Sequence, residues 1–313
     1  MFLEQAAHCE GRSPLYARLC RELADEPRLG PLVGEWTWEM PLRVLAGLHH
    51  LVLDGEATWS ALDAALERHG DFLREFVACQ PVQTNEVQRS WVLLPCLLRV
   101  AERAGADVLD LVELGPSAGL NLVWDSYAYE YRAGSWGEPA AALTLAGEER
   151  RAVPAALLAR HPRVRGRTGI DRSPIDVTDD AGARLLESFV WADQCERLER
   201  LRAAIGALRS SPPNLVRGDF VELLPEVLEG RPGDGLTVVF QTAALGYVSE
   251  AGRSRVRRAL RSAAGRGPLA FVSAGRPRND ERVWGLRIVV WPDGSREFVG
   301  HADYHGAWLD WNP

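Results

Sequence analysis

Between positions 109 and 119 the chain reads Leu109-Asp-Leu-Val-Glu113-Leu-Gly115-Pro-Ser117-Ala-Gly119, a short apolar run that ends in an acidic residue and a turn of small residues. The segment after it, from Leu120, has helical character, so the stretch predicts a strand, a tight loop and a helix. At the carboxyl end of a strand in an open α/β sheet, glycines let the backbone come close to a ligand, and a helix N-terminus offers unpaired N–H groups. Such a place suits a nucleoside-like cofactor. Asn121 and Asp125, one helical turn apart, share a face of the expected helix, and Asn121 either faces the cleft or bonds a neighbouring loop.

A second group is His301-Ala-Asp303-Tyr-His305. Strand alternation would put both imidazoles and the carboxylate on one side, a donor set able to hold a metal. The segment follows a hairpin and precedes Gly306, so a turn before all three align is expected, and with it a structural or substrate-facing role and no metal. Trp308 and Trp311 beside it form an aromatic wall or anchor the C-terminus.

The elements that must position these residues fall into two textures. Residues 1–106 read as helices: Ser13-Pro14 as cap and first position, Pro41 to Asp54, then Trp59, Leu62 and Leu66 closed by Gly70. Asn85 with Gln88 three residues on reads as a capping box before Trp91 and a stop at Gly105. From 107 to 313 short β-like runs alternate with helical ones, which predicts a doubly wound sheet. Strands are expected near 109–114, 164–170, 214–217, 236–241 and 268–273, with helices at 193–208 and 250–264. A hairpin runs from Leu286 to Trp291, through Asp293-Gly294, into Arg296. Residues 127–157 interrupt this plan as an inserted β excursion or flap.

Composition excludes several classes. All 36 basic residues are arginine, which removes a Walker A phosphate loop and Schiff-base chemistry, both of which need a lysine. The formal net charge of -7 argues against nucleic acid as a partner, and Arg253, Arg255, Arg257, Arg258 and Arg261 read as a solvated helix face. The five cysteines form no Cys-x-x-Cys pair, so reduced thiols in a cytoplasm are expected. No apolar run approaches the ~20 residues of a membrane helix. Nothing in the sequence sets the oligomeric state.

The spacing Glu113-x-Gly115-x-Ser117-x-Gly119 resembles the first motif of the S-adenosylmethionine-dependent methyltransferases, with Ser117 in place of the middle glycine. The same residues spell Gly-x-Ser-x-Gly, which resembles the nucleophile elbow of α/β-hydrolases. Gln83-Thr-Asn-Glu-Val-Gln-Arg89, Val112 to Asp125, Gly169-Ile-Asp-Arg-Ser-Pro-Ile-Asp-Val177 and His301 to Trp308 together resemble the bacterial family known as domain of unknown function 2332. That resemblance implies an α/β fold with a Rossmann-like methyltransferase-type sheet, mostly parallel with a C-terminal antiparallel hairpin, behind an N-terminal helical region.

What the methyltransferase resemblance implies for individual residues is a cofactor, S-adenosylmethionine, held at Glu113, Gly115, Ser117, Gly119 and Asn121. Glu113 would lie near the methionine amino group, Asp171 would take the ribose hydroxyls, and Asp219 and Phe220 would meet the adenine. For Asp219 a helix N-cap is the equal alternative. Gln241, Tyr247 and His305 are the catalytic candidates, to orient or deprotonate an acceptor, with packing as the alternative for Tyr247. Asn85, Glu86, Arg89 and Trp308 are the substrate-binding candidates. The acceptor expected is a small polar molecule, in a cleft that Asn85, Glu86, Arg89, Tyr247 and His305 share with the Gly115 loop.

Two other functions remain open at this point. A serine hydrolase using Ser117 and a C-terminal histidine has the residues, although a mostly helical region stands where hydrolases place strands ahead of the elbow. A non-catalytic ligand-binding or regulatory protein would explain Ser117 as a mark of a degenerate cofactor pocket.

Overall fold

The computed structural model describes residues 1–34, 36–275 and 283–312. The N-terminal helices are α1 (Phe2–Cys9), α2 (Pro14–Leu23), α3 (Leu29–Leu32), α4 (Met40–Leu53), α5 (Leu62–Arg68), α6 (Gly70–Cys79) and α7 (Arg89–Ala104). Then come β1 (Val108–Leu114), β2 (Ala128–Tyr131), β3 (Gly134–Trp136), β4 (Thr144–Ala146), β5 (Glu148–Arg151), α8 (Ala155–Leu158) and β6 (Arg163–Asp171). The rest is α9 (Asp180–Ser188), α10 (Cys195–Ser210), β7 (Asn214–Arg217), α11 (Phe220–Glu229), β8 (Leu236–Thr242), α12 (Glu250–Ala264), β9 (Leu269–Gly275), β10 (Val283–Trp291), β11 (Ser295–Asp303) and β12 (Trp308–Trp311).

Two compact units form: residues 1–85 with 175–202, and residues 86–174 with 203–313. The first is all helical. Its amphipathic helices bury Tyr16, Leu19, Leu45, Leu48 and Leu73 in one apolar cluster. Ser13 caps α2 by accepting the Tyr16 N–H at 3.0 Å, as the Ser-Pro pair predicts.

The second unit is an α/β sheet in the order β5-β12-β11-β10-β9-β8-β1-β6-β7. Its heart, β7-β6-β1-β8-β9, is parallel and runs 3-2-1-4-5 in chain order, the doubly wound arrangement. β10, β11 and β12 continue it antiparallel, so the sheet is mostly parallel with a C-terminal antiparallel hairpin. β1 and β8 are buried on both faces, which is why they read as mainly apolar runs. One face carries α11 and α12, whose Leu224, Leu228, Val256 and Leu260 pack on Val112, Ile170 and Val239. α7 packs on β8, β9 and β10, and it is buried without a break from Arg89 to Leu98, the covered part of the helix. It stops at Gly105 in the left-handed region, at φ 59°.

Two local expectations change. The stretch after the Gly115 loop is a kinked 3₁₀ segment, Leu120–Ser126, not an α-helix. Its polar side chains are pulled to separate partners: Asn121 bonds Glu113 and Ser90, while Asp125 accepts from Arg167 at 2.6 Å. Asn85 does not cap α7, which starts after Gln88; its carboxamide oxygen accepts from Arg197 at 2.6 Å, a charged donor that a backbone N–H does not match. The β excursion is a small sheet, β3-β2-β4, pinned by Tyr127, Tyr129 and Tyr131, whose hydroxyls donate to the Leu120, Trp124 and Trp91 carbonyls.

Candidate functional site

Strand order reverses between β1 and β8, and the crevice at their carboxyl ends is where open α/β sheets take ligands. Two loops meet there. Glu113 pairs in register with Phe240, so the loops that follow β1 and β8 leave the sheet side by side. A Cβ on Gly115 would stand 2.9 Å from the Ala244 Cβ, which leaves no room for a side chain.

Among the described residues, the two non-glycine residues with positive φ are Ser117 at 56° and Ala243 at 68°, one in each loop. Such backbone costs about 1–2 kcal/mol per residue and collects at functional sites. Gly115, at φ 72°, and Gly119, at φ 84°, flank Ser117, so every position of the three-glycine pattern has a left-handed backbone. Ser117 departs from the motif in residue type and keeps it in conformation.

The N–H groups at the three motif positions are spent internally. Gly115 donates to the Ile170 carbonyl at 3.0 Å and Gly119 to the Pro116 carbonyl at 2.9 Å. Ser117 donates to one Asp171 oxygen at 2.9 Å, and Ser173 to the other at 2.8 Å. With no α-helix N-terminus behind it, this loop is not built as a phosphate cradle. Acceptors remain instead.

The foremost is Glu113. It is 1% exposed, its Oε1 accepts from Asn121 at 3.1 Å, and its Oε2 has no hydrogen-bond partner among the described residues. Burial pushes its carboxyl up to about 8; Asn121 opposes that shift, the nearby Asp171 charge adds to it, and Arg89 pulls the other way. A buried carboxyl with a vacant oxygen is costly unless something arrives to use it.

The start of α7 and the turn after β11 supply the next group. Arg89 is 3% exposed and donates to the Tyr304 carbonyl at 3.3 Å and to the Thr242 hydroxyl at 3.4 Å. Its guanidinium lies over the rings of Trp284, at 4.9 Å, and Tyr304, at 4.7 Å. His305 Nδ1 stands 3.7 Å from Glu86 Oε2, and the Glu86 side chain is buried. Asp303 makes this possible: its carboxylate accepts from the His305 and Ala307 N–H groups, turning the chain so that His305 leaves the strand on which His301 stays. Among the described residues no cluster of His, Cys, Asp and Glu is arranged to hold a metal.

The remaining candidates scatter. Gln241 is buried and fully engaged, donating to Ser273 at 2.8 Å and to the Ala274 carbonyl at 3.2 Å and accepting from Leu245 at 3.2 Å, so it ties strands and loop together. Tyr247 is 69% exposed at the end of the 3₁₀ turn Ala244–Tyr247, which is not a packing aromatic. Asp219 is the α11 cap, accepting from Val221 at 2.8 Å, and takes Arg172 at 2.6 Å. Phe220 packs on the Val221 and Leu224 cluster. Trp308, on β12, carries the Arg150 guanidinium 3.6 Å over its ring. Asn85 belongs to the helical unit, where it bonds Arg197 and the Leu186 carbonyl. Thr242, Trp284, Tyr304, Ala243 and Ser90 are site residues that the sequence reading did not single out.

A doubly wound α/β unit with a ligand-type crevice at its switch point, and a separate helical unit, define the class. The family model described as "Uncharacterized protein conserved in bacteria (DUF2332)" matches residues 1–311, and the chain belongs to that family. Among solved structures it is similar to the crystal structure of a S-adenosylmethionine-dependent methyltransferase from Clostridium acetobutylicum ATCC 824. The two are 10% identical, with a TM-score of 0.26, over 74% of this chain and 77% of that one. No curated protein matches the chain. Among the described residues, no helix is long and apolar enough to cross a membrane, and all five cysteines are free.

Proposed function

We propose that this protein is an S-adenosylmethionine-dependent methyltransferase that acts on a small polar molecule in the cytoplasm. The observation that carries the reading is the vacant Oε2 of Glu113, buried at the switch point under a loop whose three motif positions have left-handed backbone. The donor set fits such a cofactor. Glu113 would receive an ammonium group. Asp171, part-exposed and bonded once at each oxygen, keeps lone pairs for hydroxyls. The spent loop N–H groups suit a ligand without phosphate at that place.

When bound, S-adenosylmethionine supplies an activated methyl group, and the protein's task is to hold two molecules in line. Here His305, positioned by Glu86 and 42% exposed at its side chain, would hold the acceptor's proton. Tyr247 would border the acceptor from the β8 loop. A non-catalytic ligand-binding protein is the second reading, favoured by Asp219 and Gln241 being engaged in structure. Ser117, 3% exposed, is badly placed for the third, a covalent nucleophile.

Calorimetry with S-adenosylhomocysteine tests the reading. Binding in the micromolar range, lost in Gly115→Arg, supports it; no heat at millimolar ligand with folded protein refutes it. Methyl transfer to a panel of small acids, amines and alcohols then separates the catalytic reading from the non-catalytic one.

A further inference from the structure

A guanidinium taken out of water needs an anion, and most buried arginines have one. Arg89 does not. Its partners among the described residues are the Tyr304 carbonyl, the Thr242 hydroxyl and the faces of Trp284 and Tyr304, with no carboxylate among them. Among the described residues Arg167 pairs with Asp125 at 2.6 Å and Arg99 with Glu297 at 2.9 Å, whereas Arg231 rests on the Pro268 and Gly267 carbonyls. Two aromatic faces compensate the charge of Arg89 only in part. They also fix the plane of the guanidinium, leaving its Nη2 edge without a bonded partner among the described residues.

The surroundings favour an incoming anion. Thr242, which Arg89 touches, ends β8 where its loop meets the Gly115 loop, so the guanidinium reaches the ligand crevice. Burial pushes the Glu113 carboxyl up to about 8, so at pH 7 it offsets little of the Arg89 charge. Trp284 adds a buried indole Nε1 with no partner among the described residues. Planar, rigid and without a carboxylate partner among the described residues, this arginine matches the two oxygens of a carboxylate.

We propose that Arg89, framed by Trp284 and Tyr304, is the receptor for a carboxylate group of the ligand bound at the β1–β8 crevice. The ligand is then a small carboxylic acid or the amino-acid end of a larger molecule. The receptor stands whether or not the methyltransferase reading does.

The test uses the whole chain labelled with ¹⁵N and follows its arginine Nε–H signals by NMR, with Arg89→Lys to assign the Arg89 signal. Acetate is the probe and acetamide its neutral isostere. A saturable shift of the Arg89 signal in the millimolar range with acetate, and none with acetamide, is the expected result. No saturable shift, or the same shift with both, overturns the proposal. Because Arg89→Lys could fail to fold, Thr242→Val provides a second way to perturb the same signal.

A second arm finds the source of the carboxylate. If Arg89→Lys weakens S-adenosylhomocysteine by about tenfold or more and leaves its decarboxylated amine analogue unchanged, the carboxylate is the cofactor's. If wild-type protein saturated with S-adenosylhomocysteine still binds acetate at Arg89, the carboxylate belongs to the second substrate. Failure of S-adenosylhomocysteine to bind at all would refute the methyltransferase reading and leave the acetate result standing.

Discussion

The backbone N–H of Ser117 donates to the Asp171 carboxylate at 2.9 Å, so the loop after β1 is tied to the end of the neighbouring strand β6. The same carboxylate accepts from Ser173 at 2.8 Å. One side chain therefore holds the left-handed backbone at Ser117 and the turn that leaves β6. Asp171 shapes the crevice before it can touch any ligand.

Asp171→Asn should therefore act on stability as well as on binding. An amide offers one acceptor oxygen where two N–H groups now point, so about 1–3 kcal/mol of stability should be lost. Affinity for S-adenosylhomocysteine should fall by roughly tenfold or more. Denaturant midpoints and calorimetry read the two effects separately; a binding loss with unchanged stability would show that Asp171 serves the ligand alone.

Ser117→Gly should keep the fold and the binding, because glycine adopts φ 56° without strain. A fluorophosphonate probe should leave wild-type Ser117 unlabelled by mass spectrometry. A Ser117 adduct that disappears on heat denaturation would bring back the hydrolase reading, in which the strained backbone would serve a nucleophile.

Glu113 sets a pH dependence of known sign. Its folded carboxyl lies at about 8 against a usual 4.5, so the stability it contributes is complete below about 4.5 and is lost as pH rises through about 8. His49, pushed down to about 4 by burial, acts oppositely, with stability lost as pH falls from 6.5 towards 4. Above 6.5 the histidine contributes nothing more. Denaturation of the wild type should thus show stability falling between 6.5 and 8, and Glu113→Gln should flatten that fall. An equal slope in the variant would mean that Glu113 is not the titrating group.

Much of this architecture is legible in the sequence. The alternation of short apolar runs with helical stretches gives β1, β6, β7, β8 and β9 close to their observed bounds; for β1 and β8 this is because strands buried on both faces have few ways to be polar. The Gly115 loop is legible because three left-handed positions demand small residues. The Arg89 cluster is not: Arg89 meets Thr242 and Tyr304 across 153 and 215 positions, and no local pattern marks such a meeting. Asn85 shows the limit of local signals, since its capping pattern yields to an arginine 112 positions away. The 3₁₀ segment after the loop follows from Asn121 reaching Glu113 and Ser90, contacts that helical periodicity does not contain.

The central claim is that Glu113 anchors the ligand by receiving a cationic group on its vacant oxygen. Calorimetric titration of S-adenosylhomocysteine at pH 7, in buffers of different ionisation enthalpy, measures it directly, because a largely protonated carboxyl must lose its proton to meet an ammonium group. Release of close to one proton per ligand bound is expected for the wild type, and none in any binding that remains in Glu113→Gln. Binding by the wild type without proton release, or undiminished binding by Glu113→Gln, would contradict it.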